Sequence, residues 1–145
     1  MEVRLPPNIN SMGHRSFYNC EHLAGIDIPS SMTSIAKYTF SKCRKLSKVT
    51  IPTSVSTLGD ESFYGCESMV LIKLHGAIQF IYERAFHNCS SLLSIQIPPS
   101  TTTIGHRTFA GCTSLMIAYF PSAAIEGAID IFGGYGSLQV MTQKT

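Results

Sequence analysis

No run of ~18 consecutive apolar residues occurs in this 145-residue chain, so no segment reads as a membrane-spanning helix. Its first residues, Met1-Glu2-Val3-Arg4-Leu5-Pro6-Pro7, have neither a basic stretch nor an apolar core, so no cleavable secretory leader is read there. Charge is scarce as well. Eleven Lys and Arg against nine Asp and Glu leave +2, too little by itself to argue for a nucleic-acid or membrane partner. Cysteine arithmetic is equally unhelpful to a disulfide framework or a zinc site: there are five, an odd number, and none stands at a spacing such as C-x2-C. At 44% hydrophobic content the chain can nevertheless bury a core, and its length fits one domain.

What the chain does have is a period. Phe17, Phe40, Phe63, Phe86 and Phe109 stand 23 residues apart, and Cys20, Cys43, Cys66, Cys89 and Cys112 keep the same step. A fixed period of this length marks a solenoid, in which no unit buries its apolar face alone and stacked units share one core. The units run 12–34, 35–57, 58–80, 81–103 and from 104 onward. Each opens on a large apolar residue (Met12, Ile35, Leu58, Ile81, Ile104), carries a small one before its Phe, and has Leu or Met three places after its Cys.

A pair two apart follows: Ile26/Ile28, Val49/Ile51, Ile72/Leu74, Ile95/Ile97 and Ala118/Phe120. That alternation predicts a strand with one buried face. The strand stops at Pro29, Pro52, Pro98 and Pro121, since proline cannot donate to a ladder; His75 departs from the rule. The Phe-x-x-Cys-x-x-Leu stretch has apolar residues every three positions, which predicts a short turn of helix or 3₁₀. The fold class is therefore an α/β repeat solenoid: a right-handed coil with a parallel ladder of short strands and short helical or 3₁₀ turns. Each Cys is read as a small buried apolar residue, one of an inward column of reduced thiols. Such thiols fit a reducing, cytoplasmic compartment; a cell-surface site is the alternative if a leader is missing.

The pattern I-G-x-x-[AST]-F-x-x-C-x-x-L-x-x-[IV]-x-[IV]-P resembles the BspA-type leucine-rich repeat, also found in a treponemal leucine-rich repeat protein. The match covers residues 12 to about 121, departing at His75-Gly76 and at Met12. The resemblance implies a scaffold for protein interaction or adhesion, and members of the family include bacterial surface antigens. It carries no catalytic residues.

The two ends extend the frame. Val3-Arg4-Leu5-Pro6 aligns with Ile26-Asp27-Ile28-Pro29, so 1–11 reads as the closing strand of a partial repeat before five full ones over 12–126. After them, Phe132, Gly134 and Leu138 follow Phe109, Gly111 and Leu115 by 23. Tyr135 falls in the Cys column, Gly127 in the Ile column and Met141 at the first strand position. Residues 127–145 thus read as a degenerate sixth repeat or C-terminal cap, with a frayed tail as the alternative.

Motifs that suggest chemistry have plainer explanations. Lys42, Arg44, Lys45 and Lys48 form the one basic cluster, but in the repeat frame Arg44 sits between Glu21 and Glu67, Lys37 beside Asp60 and Glu61 beside Arg84. These predict charge ladders between coils, and with no aromatic platform beside them nucleic acid is not the expected partner. His14, His22, His75, His87 and His106 do not converge in this frame, so no metal site follows. Asn88-Cys89-Ser90 meets the glycosylation sequon, yet Asn88 shares its column with Asn19, Lys42, Gly65 and Gly111, where a turn accounts for it. No nucleophile, acid–base set, cofactor or metal is expected, and the chain is not read as an enzyme.

The outward strand positions are free of the packing rules: Gly25/Asp27, Lys48/Thr50, Leu71/Lys73, Ser94/Gln96 and Ile117/Tyr119. Such a ladder suits a long protein or peptide partner. Apolar Leu71, Ile117 and Tyr119 mark a candidate interface, unless the segment after Pro121 covers the last two. The candidate face is thus Asp27, Lys48, Thr50, Leu71, Lys73, Ser94, Gln96, Ile117 and Tyr119. A surface adhesin cut from a longer array and a structural spacer are the competing readings.

Overall fold

The computed structural model describes residues 1–125, 130–133 and 139–143. Ten short strands and one four-residue helix are assigned among them, and helix plays almost no part. Outer strands β1 (Glu2–Arg4), β2 (Gly25–Asp27) and β4 (Lys48–Thr50) form one parallel sheet; β7 (Ser94–Gln96), β9 (Ile117–Pro121) and β10 (Gln139–Gln143) form another. The registers Val3↔Ile26, Ile26↔Val49 and Ile95↔Ala118 each span 23 residues, so the sequence period is the coil repeat. β1 takes the strand position of a further coil, as the N-terminal alignment requires.

A second ladder runs along another wall. β3 (Ser34–Ile35), β5 (Thr57–Leu58), β6 (Phe80–Ile81) and β8 (Thr103–Ile104) pair in parallel without interruption. Its apolar members Ile35, Leu58, Ile81 and Ile104 are buried. Pattern reading recognises these residues as core but not as strand, because two residues carry no alternation to detect.

The expected helical or 3₁₀ turn is corrected. From Arg15 to Leu23 amides alternate: Tyr18, Cys20 and Leu23 donate to the carbonyl three residues back, while Arg15, Phe17 and Asn19 donate to Lys37, Thr39 and Ser41 of the next coil. Backbone conformation explains the alternation. Arg15 (φ 62°), Tyr38 (60°), Glu61 (51°), Arg84 (54°) and Arg107 (52°) are left-handed, as are Asn19, Lys42, Gly65, Asn88 and Gly111 four residues later. A left-handed residue ends any 3₁₀ run and turns the chain, so the segment is a series of turns hydrogen-bonded coil to coil. Each non-glycine position costs up to ~1–2 kcal/mol of backbone energy, offset by these inter-coil bonds.

The interior is made of columns. Phe17, Phe40, Phe63, Phe86 and Phe109 stack with ring centroids 5.3–5.5 Å apart. Leu23, Leu46, Met69, Leu92 and Leu115 lie buried beside them. The cysteine column is inward and reduced, as expected, with a further role. Sγ of Cys43, Cys66, Cys89 and Cys112 donates to the carbonyl of Phe17, Phe40, Phe63 and Phe86, at 3.0–3.3 Å. Each thiol thus satisfies a carbonyl of the previous coil. Burial pushes the Cys43 and Cys112 thiols up to about 12, and Cys66 and Cys89 well above their ordinary value.

At the C-terminal side Phe132 lies 6.1 Å from Phe109, continuing the stack, and Phe120 closes both rings edge-on. The frame slips beyond that point. Val140 pairs with Ala118 and Met141 with Tyr119, a 22-residue step, so Met141 lies one place beyond the first strand position expected for it. Gly127, Gly134, Tyr135 and Leu138, expected in the repeat columns of a sixth unit, lie outside the described residues.

Candidate interaction face

Pleating decides which side chains the outer wall presents. Ile26, Ile51, Ile72, Ile95, Ile97 and Ala118 turn inward and are buried, while the residues between them face out. Asp27, Lys48 and Thr50 stand exposed on the first sheet. Gln96 is exposed, and Ser94, Ile117 and Tyr119 are half-buried, on the second. Gly25 is the exception among the expected outward positions: it is buried between Glu2 and Lys48, with a Cβ there falling 3.2 Å from Cγ of Glu2.

Leu71 and Lys73 lie exposed between the two sheets, on a segment that forms no strand. The expected single ladder is therefore divided at repeat three. Repeat three is also where His75-Gly76 replaces the proline that ends the strand in neighbouring coils. Two depressions flank Leu71. One of ≈430 Å³ is bounded by Arg4, Asp27, Lys48 and Thr50, the other, of ≈550 Å³, by Lys73, Ser94, Gln96 and Pro98. Both are open; the first is lined mainly by polar groups and the second mainly by apolar ones, and neither encloses a small ligand.

An apolar strip beside this wall escapes pattern reading. Val70, Leu93 and Met116 occupy one column and are 43%, 39% and 60% exposed, next to Leu71 at 63%. Leu93 N–H donates to Val70 O, and Met116 N–H to Leu93 O, each at 3.0 Å, so the three side chains stand on successive coils. Their signal in the sequence is an apolar residue directly after the buried Leu or Met, where the first two coils have Ala24 and Ser47. As for Ile117 and Tyr119, β10 pairs alongside β9 and extends the ladder past them.

Charge pairs form between coils where the frame predicts, except that Arg44 reaches Glu67 and not Glu21. Lys37 meets Asp60 at 2.6 Å, Arg44 meets Glu67 at 3.6 Å and Arg84 meets Glu61 at 3.5 Å. Hydrogen bonding and attraction to Asp60 raise the Lys37 pKa. Arg107 and His106 add a contact to Asp130, each at 3.3 Å. Asn88 is left-handed and its amide donates to the Tyr64 hydroxyl at 3.4 Å, so turn chemistry does account for that residue. One expectation fails: rings do accompany the basic cluster, Lys42 lying 5.6 Å over Tyr18.

Among the described residues no three His, Cys, Asp or Glu side chains come together to hold a metal, and no helix is long and apolar enough to cross a membrane.

Comparison with known proteins agrees with this geometry. A Bacteroides ovatus leucine-rich repeat protein superposes over 99% of the chain with a TM-score of 0.89 at 28% identity, and a T. pallidum leucine rich repeat protein over 82% with 0.78 at 27%. The chain spans 36% and 58% of those two structures. The pneumococcal vaccine antigen PcpA shares the fold at 13% identity, with a TM-score of 0.75 over 99% of the chain and 42% of its own length. A comparison with curated proteins gives no match. The model of the BspA type leucine rich repeat region matches residues 1–135 in six copies. With that match over nearly the whole length, and the coils stacked at its period, the chain belongs to the BspA type leucine-rich repeat family.

Proposed function

We propose that the chain is a non-catalytic binding scaffold that engages a protein partner through the outer strand wall and the apolar strip beside it. The carrying observation is Leu71 and Met116, 63% and 60% exposed, with Val70 beside Leu71 and Leu93 on the coil between. Exposed apolar side chains grouped among polar ones gain nothing from the core and favour a partner that covers them. Around them Asp27, Lys48, Thr50, Lys73 and Gln96 supply a polar rim, with Ser94, Ile117 and Tyr119 completing the wall.

The test compares the wild-type chain with a Leu71→Asp/Met116→Asp variant in a pull-down from source cells, after circular dichroism shows both folded. A partner retained by the first and lost by the second supports the reading. Equal capture, or none, removes the wall as the interface. The chain spans a third to three-fifths of its structural relatives, which supports a second reading: one stretch of a longer adhesive array using the same wall. Oxidised thiols or a glycan on Asn88 in the native protein would favour that reading, and five free thiols would oppose it.

A further inference from the structure

The turn wall carries a second, chemically different surface. A groove of ≈460 Å³ crosses all five coils and shares no residue with the strand wall. Four cations line it, Arg15, Lys42, Arg84 and Arg107, against a single carboxylate, Glu61. Its floor is made of Tyr18, Tyr38, Tyr64 and His87. The cations are not equivalent. Arg84 is drawn toward Glu61 and Glu83, and Arg107 toward Asp130. Arg15 and Lys42 instead lie on ring faces, Arg15 5.0 Å from the Tyr38 centroid and 5.9 Å from that of Tyr18, and Lys42 5.6 Å from Tyr18. Among the described residues neither is within ion-pair distance of a carboxylate. Rings fix their direction without neutralising them, leaving two positioned, uncompensated charges beside a tyrosine that is 41% exposed.

The groove's own bonding narrows the ligand. An extended peptide adding to this wall would need free backbone donors, but Arg15, Phe17, Asn19, Tyr38, Phe40 and Lys42 already give their amides to the next coil. Single-stranded nucleic acid needs open ring faces for its bases. Here Tyr18 and Tyr38 are covered by cations and Tyr64 stacks on His87 at 5.2 Å. What stays available is side-chain chemistry alone: phenol hydroxyls, one guanidinium and one ammonium. We propose that this groove binds an acidic oligosaccharide lying along the solenoid axis. Its carboxylates or sulfates are held by Arg15 and Lys42, and its hydroxyls by the tyrosines.

Isothermal titration at about 0.15 M salt with heparin-derived and hyaluronan-derived hexasaccharides tests the assignment and separates sulfate from carboxylate recognition. Neutral maltohexaose, oligo-uridylate and oligo-glutamate serve as comparators. The informative variant is Arg15→Asn/Lys42→Asn, because asparagine tolerates the left-handed backbone of both sites and already fills the Lys42 column at Asn19 and Asn88. Its control is Arg44→Gln/Lys45→Gln, which removes the same charge from exposed residues that do not line the groove. Binding of either acidic hexasaccharide, weakened about tenfold or more by the first pair and little by the second, supports the site. No binding of either, equal loss in both pairs, or tighter binding of the nucleotide or peptide would overturn it.

Discussion

Phe63 and Phe86, separated by one repeat, stack with ring planes 2° apart and centroids 5.4 Å apart, and both are fully buried. The offset stacking range is met at every step from Phe17 to Phe109, so removing the middle ring deprives two coils at once. Phe63→Ala is expected to lower unfolding free energy by ~3–5 kcal/mol in urea titration. Exposed Lys73→Ala should change it by less than ~0.5 kcal/mol. Equal shifts for the two would disprove the proposed register.

Before each Phe stands a small residue, and its hydroxyl has a task in three coils. Ser16, Thr39 and Thr108 donate to the carbonyls of Gly13, Ala36 and Gly105 at 2.6–2.8 Å. Ser62 is buried in the same column and its hydroxyl has no partner, while Ala85 fills the position without one. Ser62→Ala should be neutral or stabilise by up to ~1 kcal/mol, whereas Thr39→Ala should cost ~1 kcal/mol or more. Thermal melts of the two variants decide this, and a larger loss for Ser62→Ala would refute it.

Buried thiols make stability fall in alkali. Folded Cys43 and Cys112 ionise near pH 12, and Cys66 and Cys89 also well above the ordinary 9.0, so the folded chain keeps protons that an unfolded chain loses from about pH 9. Their contribution is complete below pH 9 and is lost as pH rises through the folded values, at up to ~1.4 kcal/mol per pH unit for each thiol. Urea midpoints at about pH 8 and pH 10 should therefore diverge, and the Cys66→Ala/Cys89→Ala variant should show a shallower slope. Half-buried Cys20 should react first with a thiol reagent in the native state; simultaneous labelling of all five would contradict the column.

Coil contact is tightest where a glycine faces the backbone of the previous turn. A Cβ on Gly105 would fall 2.5 Å from the Tyr82 carbonyl carbon and against the Glu83 amide, whereas one on Gly76 would meet nothing within 4 Å. Gly105→Ala is expected to cost ~1–3 kcal/mol through overpacking. Gly76→Ala should leave the melting temperature unchanged or raise it slightly. Reversal of that order would show that the coils relax apart more readily than their hydrogen bonds imply.

Columns were legible because period alone defines them. The positions of Phe63, Cys66 and Met69, the 23-residue register and the Lys37–Asp60 pair all follow from residues that repeat in line. What a period cannot show is which columns stand side by side around the coil. Tyr18, Lys42 and Arg15 come from three columns, and only the left-handed turns at Arg15 and Asn19 bring them to one groove. Local departures were visible but not interpretable. His75-Gly76 stood out in the sequence, yet the loss of strand at Leu71–Lys73 depends on hydrogen bonding to both neighbours, which no single unit encodes.

The division of the outer ladder at repeat three has a mechanical meaning. Along the other two walls, the four-stranded sheet joins the second to fifth coils and the turn bonds tie every full coil to the next. The outer wall lacks a paired strand at its midpoint, so the stack is expected to bend most readily toward or away from that wall. Its curvature can then adjust at Leu71, letting halves of unchanged internal geometry conform to surfaces of different radius.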